Sequence, residues 1–309
     1  MITTITPNPS LDRTIVVDTL AIGEVHSTAG TTIEAGGKGV NVARGLIRQG
    51  IEAQAAVLCG SSGNTLFFGS LEDAGVPVLV ADSGTPVRTN LSIIERGGRT
   101  TKLNEPGAMV TTESVDHLYA QAEAAAAGSS WVVAAGSLAP GVPTDFYQAL
   151  AERIGRTAAL FAVDASGPAL AATLEVPGVL LKPNDEELAA VWPTPLDSDG
   201  DLIGAARSIV ERTGGTVLLS LGERGAAAVT PDGVCRGSAP TAKVQNTVGA
   251  GDSLLAGYIA GYDASEGSIE EALRTGLAWA RAAVGSKGTG FDAVSAADVE
   301  AVRIQGLDR

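Results

Sequence analysis

From Asn246 to Ser253 the chain reads Asn-Thr-Val-Gly-Ala-Gly-Asp-Ser and then enters an apolar stretch, Leu254 to Tyr262. This composition predicts a small-residue turn opening a helix, with one carboxylate in the first turn. Gly249 and Gly251 carry no side chains, so the N–H groups of Ala250, Gly251 and Asp252 can converge on one cluster of anionic oxygens, helped by the positive end of the helix. A carboxylate beside a bound anion is electrostatically costly unless the chemistry uses both. Phosphoryl transfer to an alcohol does so: amides stabilise the transferring group while a carboxylate takes the hydroxyl proton. On this reading Asp252, Gly251, Ala250 and Gly249 are the catalytic candidates; on the plainer one the run only caps a helix.

A second run, Gly36-Gly37-Lys38-Gly39-Val40-Asn41, also precedes a predicted helix. Its glycines let a ligand approach the backbone, and the Lys38 ammonium is a point charge suited to phosphate. It is not a Walker A loop, because Thr32 stands where that loop's first glycine belongs and Gly39 where its Ser or Thr belongs. The run Gly288-Thr289-Gly290-Phe291-Asp292-Ala293 has dinucleotide-fingerprint spacing but no strand–helix unit around it, which argues against a nicotinamide cofactor.

These residues need a frame to hold them. Short β-branched runs alternate with Ala- and Leu-rich helical patterns, which predicts a parallel sheet covered on both faces. Strands are expected near Ile2 to Thr6, Gln54 to Leu58, Val78 to Val80, Trp131 to Ala135, Leu160 to Asp164, Gly178 to Leu181, Thr216 to Ser220 and Ala226 to Thr230. Helices are expected at Val40 to Gln49, Thr112 to Ala127, Thr144 to Ile154, Asp199 to Thr213, Leu254 to Tyr262 and Ile269 to Val284, several of them stopped by a glycine. Two segments break the rhythm: Arg13 to Val17 with Val25 to Glu34, and Arg88 to Glu95 with Arg99 to Leu103 around Gly97-Gly98, read as strand pairs without an intervening helix. Such ribbons either form a small sheet over the carboxyl ends of the main strands, as a lid, or lie at the edge of the main sheet. No internal repeat and no long linker divides the chain, so residues 1–309 read as a single domain with lid segments near 12–35 and 87–104.

Composition narrows the chemistry further. A length of 309 residues with 45% hydrophobic content suits a globular protein. A net charge of −14, with 21 Lys and Arg against 35 Asp and Glu, argues against nucleic acid as partner, so an anionic ligand must be met locally. Only Cys59 and Cys235 are present, and the start lacks the pattern of a signal peptide, so the expected location is cytoplasmic; no run is apolar enough for a membrane span. Two histidines, His26 and His117, make a histidine-rich metal site or a Ser-His-Asp triad a poor fit.

Taken together, the two glycine-rich runs resemble those of the PfkB carbohydrate kinases. Asn8-Pro9-Ser10-Leu11-Asp12-Arg13, Arg88-Thr89-Asn90, Thr101 to Gly107, Gly136-Ser137-Leu138, Lys182 to Leu188 and Ser220 to Gly225 extend the likeness over nearly the whole chain. They are similar to the branch that phosphorylates fructose 1-phosphate, tagatose 6-phosphate or fructose 6-phosphate. The resemblance implies a ribokinase-like three-layer α/β/α fold, with a mostly parallel central sheet and a small β-sheet lid. It implies ATP as phosphoryl donor and Mg2+ as the metal, with Asp252 as base. Asp12, Gly37, Lys38, Asn41, Arg88, Asn104 and Ser137 are then expected around the sugar phosphate, Lys38 and Arg88 offsetting its charge. Lys182, Asn184, Ser220, Gly222, Gly225, Gly249, Gly251, Ser286, Lys287 and Gly288 are expected around the nucleotide. Asn184 and Glu187, at i and i+3 of a helix, would position the metal, although the same pair also reads as an ordinary capped helix start. Fructose 1-phosphate is the favoured acceptor and tagatose 6-phosphate the next. Ribose or nucleoside phosphorylation and a regulator without catalysis are the other readings. Exposed edges on the lid ribbons point to a homodimer through the lid.

Overall fold

The computed structural model describes residues 1–240, 244, 248–286 and 293–308. The strands are β1 (Ile2–Thr6), β2 (Ser10–Val17), β3 (Gly30–Gly36), β4 (Ala53–Cys59), β5 (Val78–Asp82), β6 (Arg88–Glu95), β7 (Thr100–Asn104), β8 (Trp131–Ala135), β9 (Leu160–Asp164), β10 (Leu180–Leu181), β11 (Thr216–Ser220), β12 (Ala226–Thr230), β13 (Gly233–Ser238) and β14 (Arg303–Asp308). The helices are α1 (Lys38–Arg48), α2 (Thr65–Asp73), α3 (Thr112–Ala126), α4 (Phe146–Ile154), α5 (Gly167–Ala171), α6 (Asp185–Val191), α7 (Asp199–Thr213), α8 (Ala250–Ala264), α9 (Ile269–Val284) and α10 (Ala296–Glu300).

Ten strands form one sheet in the order β14-β13-β12-β11-β10-β9-β8-β1-β4-β5. Alternate residues of its strands serve different cores: Trp131 and Val133 of β8 pack with α1, α2, α8 and α9, while Val132 and Ala134 pack with α3, α4 and α7. Both faces are therefore covered, and the central strands read as continuous apolar runs because neither side meets water. After β1 the chain adds β4 and β5 on one side, then returns to add β8 to β11 on the other, so the order reverses between β1 and β8. Open sheets of this kind receive ligands beyond the carboxyl ends of their strands, at such a reversal.

The remaining four strands form a separate sheet in the order β3-β2-β6-β7. Each ribbon is antiparallel, and the two ribbons join through a parallel pairing of β2 with β6, Ser10 opposite Arg88 and Asp12 opposite Asn90. The edge-strand reading of these ribbons is thereby excluded, since the described edges of the large sheet are β14 and β5. Their limits move slightly: β2 starts at Ser10, just beyond β1, and β3 starts at Gly30 instead of Val25, which is fully exposed.

The expectation of a parallel sheet holds from β5 to β11 and fails beyond it, where β12, β13 and β14 pair antiparallel. The cause is local: Pro231 and Asp232 make a tight hairpin between Thr230 and Gly233, leaving no length for a crossover helix. The strand expected from Gly178 contracts to Leu180–Leu181, because Gly178 sits at a φ of 69°, outside strand geometry. Among the described residues no helix is long and apolar enough to cross a membrane.

Candidate functional site

Helix α8 starts at Ala250 because Gly249 turns the chain at a φ of 80°, a conformation side chains disfavour. The N-cap position of this helix is Gly249 itself, which has no side chain to offer the first-turn amides. Its direction is set by close packing on α9: a Cβ on Gly257 would lie 2.8 Å from the Trp279 ring and one on Gly261 2.7 Å from the Thr275 hydroxyl. Asp252, 7% exposed, sits in that first turn and accepts a 2.8 Å hydrogen bond at Oδ2 from Asn41 Nδ2. Burial, followed by the negative charge of Asp164, pushes the Asp252 carboxyl up to about 6, against the pull of Lys38, Asn41 and Lys182.

Asn41 reaches Asp252 because α1 is pressed onto the end of β1. A Cβ on Gly39 would lie 2.5 Å from Thr6 Oγ1 and 2.8 Å from Ile5 O, and Gly37 caps the helix at a φ of 113°. With such contact only glycine fits, which accounts for the spacing of the Gly36-to-Asn41 run in steric terms. Lys38 and Asn41, three residues apart, then share one helix face. Lys38 Nζ lies 2.8 Å from Asp164 Oδ1 and 3.4 Å from Glu187 Oε1.

Asp164 is the residue the sequence reading did not single out. It ends β9, is 1% exposed, and also lies 3.1 Å from Lys182 Nζ through Oδ2. Burial favours its neutral form, but Lys182 and Lys38 overcome this and hold the carboxyl below its usual range. For Lys38 burial likewise opposes the charge, and Asp164 and Glu187 outweigh it, raising the ammonium above its usual range. Its sequence signal was a lone Asp at the carboxyl end of a buried parallel strand, where open α/β sheets place ligand contacts. Lys182 extends over α8: a Cβ on Gly251 would lie 3.4 Å from its Nζ. The first turn of α8 and two ammonium groups therefore lie around one buried carboxylate.

Asp12 and Arg88 lie together on the small sheet. Asp12 Oδ1 accepts from Ser10 Oγ at 2.7 Å and from Asn90 Nδ2 at 2.9 Å, and a side chain at Gly36 would overlap the carboxylate. Arg88 donates from Nη1 to the carbonyl of Glu105 at 2.9 Å, while its buried Nε has no hydrogen-bond partner among the described residues. Burial lowers its guanidinium pKa against the carboxylates of Asp12 and Glu105. Ser137 follows β8 and accepts from Asn8 Nδ2 at 3.1 Å. Asn104, exposed at the end of β7, stands opposite Asn90 in the register.

On the opposite side, Asn184 and Glu187 begin α6 with a reciprocal cap: Asn184 Oδ1 accepts from the Glu187 amide at 2.6 Å, and Glu187 Oε2 from the Asn184 amide at 3.0 Å. The capped-start reading of this pair is seen here, and Glu187 Oε1 also faces Lys38. Ser220 ends β11, and its amide donates to Pro183 O at 3.0 Å, joining the turns that follow β10 and β11. Gly222, at a φ of 59°, and Gly225, at 96°, bound a 3₁₀ turn whose Arg224 pairs with Asp185 and Asp199. A side chain at Gly225 would overlap the Gly237 carbonyl. Ser286 lies just past α9 and donates to Ala282 O at 2.9 Å; Lys287 and Gly288, like Asn246 and Thr247, lie outside the described residues.

The sequence model of the pfkB family carbohydrate kinases matches residues 8–296. The chain belongs to this family. The 1-phosphofructokinase of Haloferax volcanii is 34% identical over 290 residues, 94% of this chain and 92% of that one. The ATP-dependent 6-phosphofructokinase isozyme 2 of Escherichia coli is also 34% identical over 290 residues, 93% of each chain. Among solved structures, phosphofructokinase-2 from Escherichia coli in complex with potassium superposes with a TM-score of 0.89 at 31% identity, covering 97% of this chain and 96% of that one. The three-layer architecture is therefore that of the ribokinase-like fold, and the protein is a phosphotransferase that acts on a sugar hydroxyl.

For a carbohydrate kinase, the chemistry of the donor set bears on the metal. Asn184 and Glu187 have oxygens already engaged in capping, and among the described residues no cluster of three or more His, Cys, Asp or Glu could hold an ion. Such a set fits Mg2+ held through retained water by few protein groups, not a protein cage.

Proposed function

We propose that this kinase transfers the γ-phosphoryl group of ATP to the primary hydroxyl of a ketohexose phosphate, with fructose 1-phosphate as acceptor and fructose 1,6-bisphosphate as product. The observation that carries the reading is Asp252: a buried carboxylate, held by Asn41, in the first turn of α8 behind the Gly249 turn. Asp252 accepts the hydroxyl proton. The amides of Ala250, Gly251 and Asp252 stabilise the group in transfer, with Lys182 beside them. Arg88, with donors to spare, takes the phosphate already on the sugar; Asp12, Asn104 and Ser137 orient its hydroxyls together with the Gly37 turn. Lys38, paired with Asp164 and Glu187, offsets the charge of the sugar phosphate together with Arg88. Mg2+, when bound, offsets nucleotide phosphate charge, and Asn184 and Glu187 would hold it through water. Ser220, Gly222, Gly225 and the segment from Ser286 through Gly288 form the nucleotide side.

The small sheet acts as a lid on a single kinase domain, and its exposed strand β7 supports pairing of lids in a homodimer. A monomer in sedimentation at working concentration would remove that reading. A cytoplasmic location suits a metabolic kinase with two free cysteines. ADP release measured against fructose 1-phosphate, fructose 6-phosphate, tagatose 6-phosphate and ribose tests the acceptor. The highest kcat/KM on fructose 1-phosphate supports the proposal, and a preference for tagatose 6-phosphate or fructose 6-phosphate replaces the acceptor while leaving the chemistry.

A further inference from the structure

Asn8, buried in the turn between β1 and β2, directs its amide nitrogen at three acceptors: Pro106 O at 3.1 Å, Ser137 Oγ at 3.1 Å and Leu138 O at 3.4 Å. The contact is close on its other side as well. Gly107 takes a φ of 95°, and a Cβ there would lie 2.5 Å from Asn8 Oδ1. The backbone leaving β7 is thus fixed at residues 106 and 107 by one side chain from the mouth of β1. One residue earlier, Glu105 holds the start of β6 three times: its carbonyl accepts from Arg88 Nη1 at 2.9 Å, its Oε2 from the Thr89 amide at 2.7 Å, and its amide donates to Thr89 O at 3.3 Å. A continuous chain of contacts runs from Asn8 through Pro106 and Glu105 to the Arg88 guanidinium.

We propose that Asn8 is a positioning residue for the acceptor's phosphate, acting through the Glu105-Pro106-Gly107 strap that fixes the direction of Arg88. The inference rests on the reading above in which Arg88 binds that phosphate. Among the described residues Arg88 Nη1 donates to one partner, a carbonyl on this strap, so the guanidinium follows the strap. A guanidinium binds phosphate through two parallel N–H donors only when its plane is aligned with the oxygens, so a small displacement of the strap weakens binding of the phosphorylated sugar without touching the transfer step. Asn8 contributes through its N–H donors: an acceptor at this position would face three acceptors and drive the strap away.

The test is a double-mutant cycle on the full chain, with KM for fructose 1-phosphate, KM for ATP and kcat read for Asn8→Ala, Arg88→Ala and the pair. Asn8→Ala is expected to raise KM for the sugar phosphate ~10-fold, the scale of a weakened charge-assisted hydrogen bond, while kcat and KM for ATP stay within about twofold. In the Arg88→Ala background the same change should add less than about twofold, because the group it positions has gone. A purely structural role for Asn8 predicts instead equal effects in both backgrounds, and that result overturns the inference. If Arg88→Ala raises the sugar-phosphate KM but Asn8→Ala does not, this inference fails and the reading of Arg88 stands; if Arg88→Ala leaves that KM unchanged, both fall. Should Asn8→Ala not fold, Asn8→Ser and Gly107→Ala probe the same contact from its two sides, with the same expected and contrary results.

Discussion

Asn41 Nδ2 donates to Asp252 Oδ2 across 2.8 Å, joining the first turn of α1 to the first turn of α8. Asn41 is among the residues expected at the sugar, and its amide holds the carboxylate proposed as base. The bond occupies one carboxylate oxygen and leaves the other to take a proton. Because it stabilises the charged form, it lowers the Asp252 pKa, which burial and Asp164 have raised. Asn41→Ala should therefore move the acid limb of kcat/KM to higher pH and reduce kcat. A pH profile identical to the parent's would show that the bond does not tune the base.

The wild-type profile follows from the same value. A base must be ionised, so kcat/KM should fall as pH drops through about 6. The stability consequence has the opposite sense. The folded state holds the Asp252 proton more tightly than the unfolded state, whose value is 3.8, so folding loses stability as pH rises from below 3.8 to above 6. Asp252→Asn removes this cost, and its melting temperature should equal or exceed the parent's at pH 8, with the difference shrinking towards pH 4. A variant less stable than the parent at pH 8 would show that the charge is compensated more fully than burial indicates.

Asp164 binds two lysines, so its loss leaves the buried Lys182 ammonium without this carboxylate and Lys38 with Glu187 alone. Asp164→Asn should destabilise the fold by about 3–5 kcal/mol, the usual cost of breaking a buried pair from one side. The carboxylate's depressed pKa gives a matching linkage: its contribution is full above the unfolded value of 3.8 and is lost as pH falls through the lower folded value. Denaturant unfolding at pH 7 checks the magnitude, and a loss below about 1 kcal/mol would place Asp164 among ordinary surface pairs.

Gly251→Ala separates folding from chemistry. Alanine in a helical first turn is stabilising where its Cβ fits, and here the nearest atom is Lys182 Nζ at 3.4 Å. The melting temperature should hold or rise. The methyl group, however, occupies the space between Lys182 and the α8 amides proposed for the transferring phosphoryl group, so kcat should drop by ~10-fold or more. Unchanged turnover would move the anion away from this turn.

Much of this arrangement could be read from the chain. Buried parallel strands such as Trp131–Ala135 and glycine-stopped helices such as Asp199–Thr213 carry their signal locally, and both match the structure. The glycines at 37, 39 and 249 were legible because a backbone pressed on a strand end or turned at positive φ admits little else. What escaped were relations across the fold. The Lys38 partners, Asp164 and Glu187, lie 126 and 149 residues away, and no local pattern announces such pairs. Strand β14 was missed because it is short, half polar and interrupted by Gly306, and becomes a strand only by pairing with β13.

The central claim, that Asp252 is the base, is tested most directly by the turnover of Asp252→Asn at saturating ATP and fructose 1-phosphate, with binding of the sugar phosphate measured alongside. The account predicts a loss of about 10²–10⁴ in kcat with binding nearly intact. Turnover within about tenfold of the parent, in a variant that folds and binds normally, would contradict it.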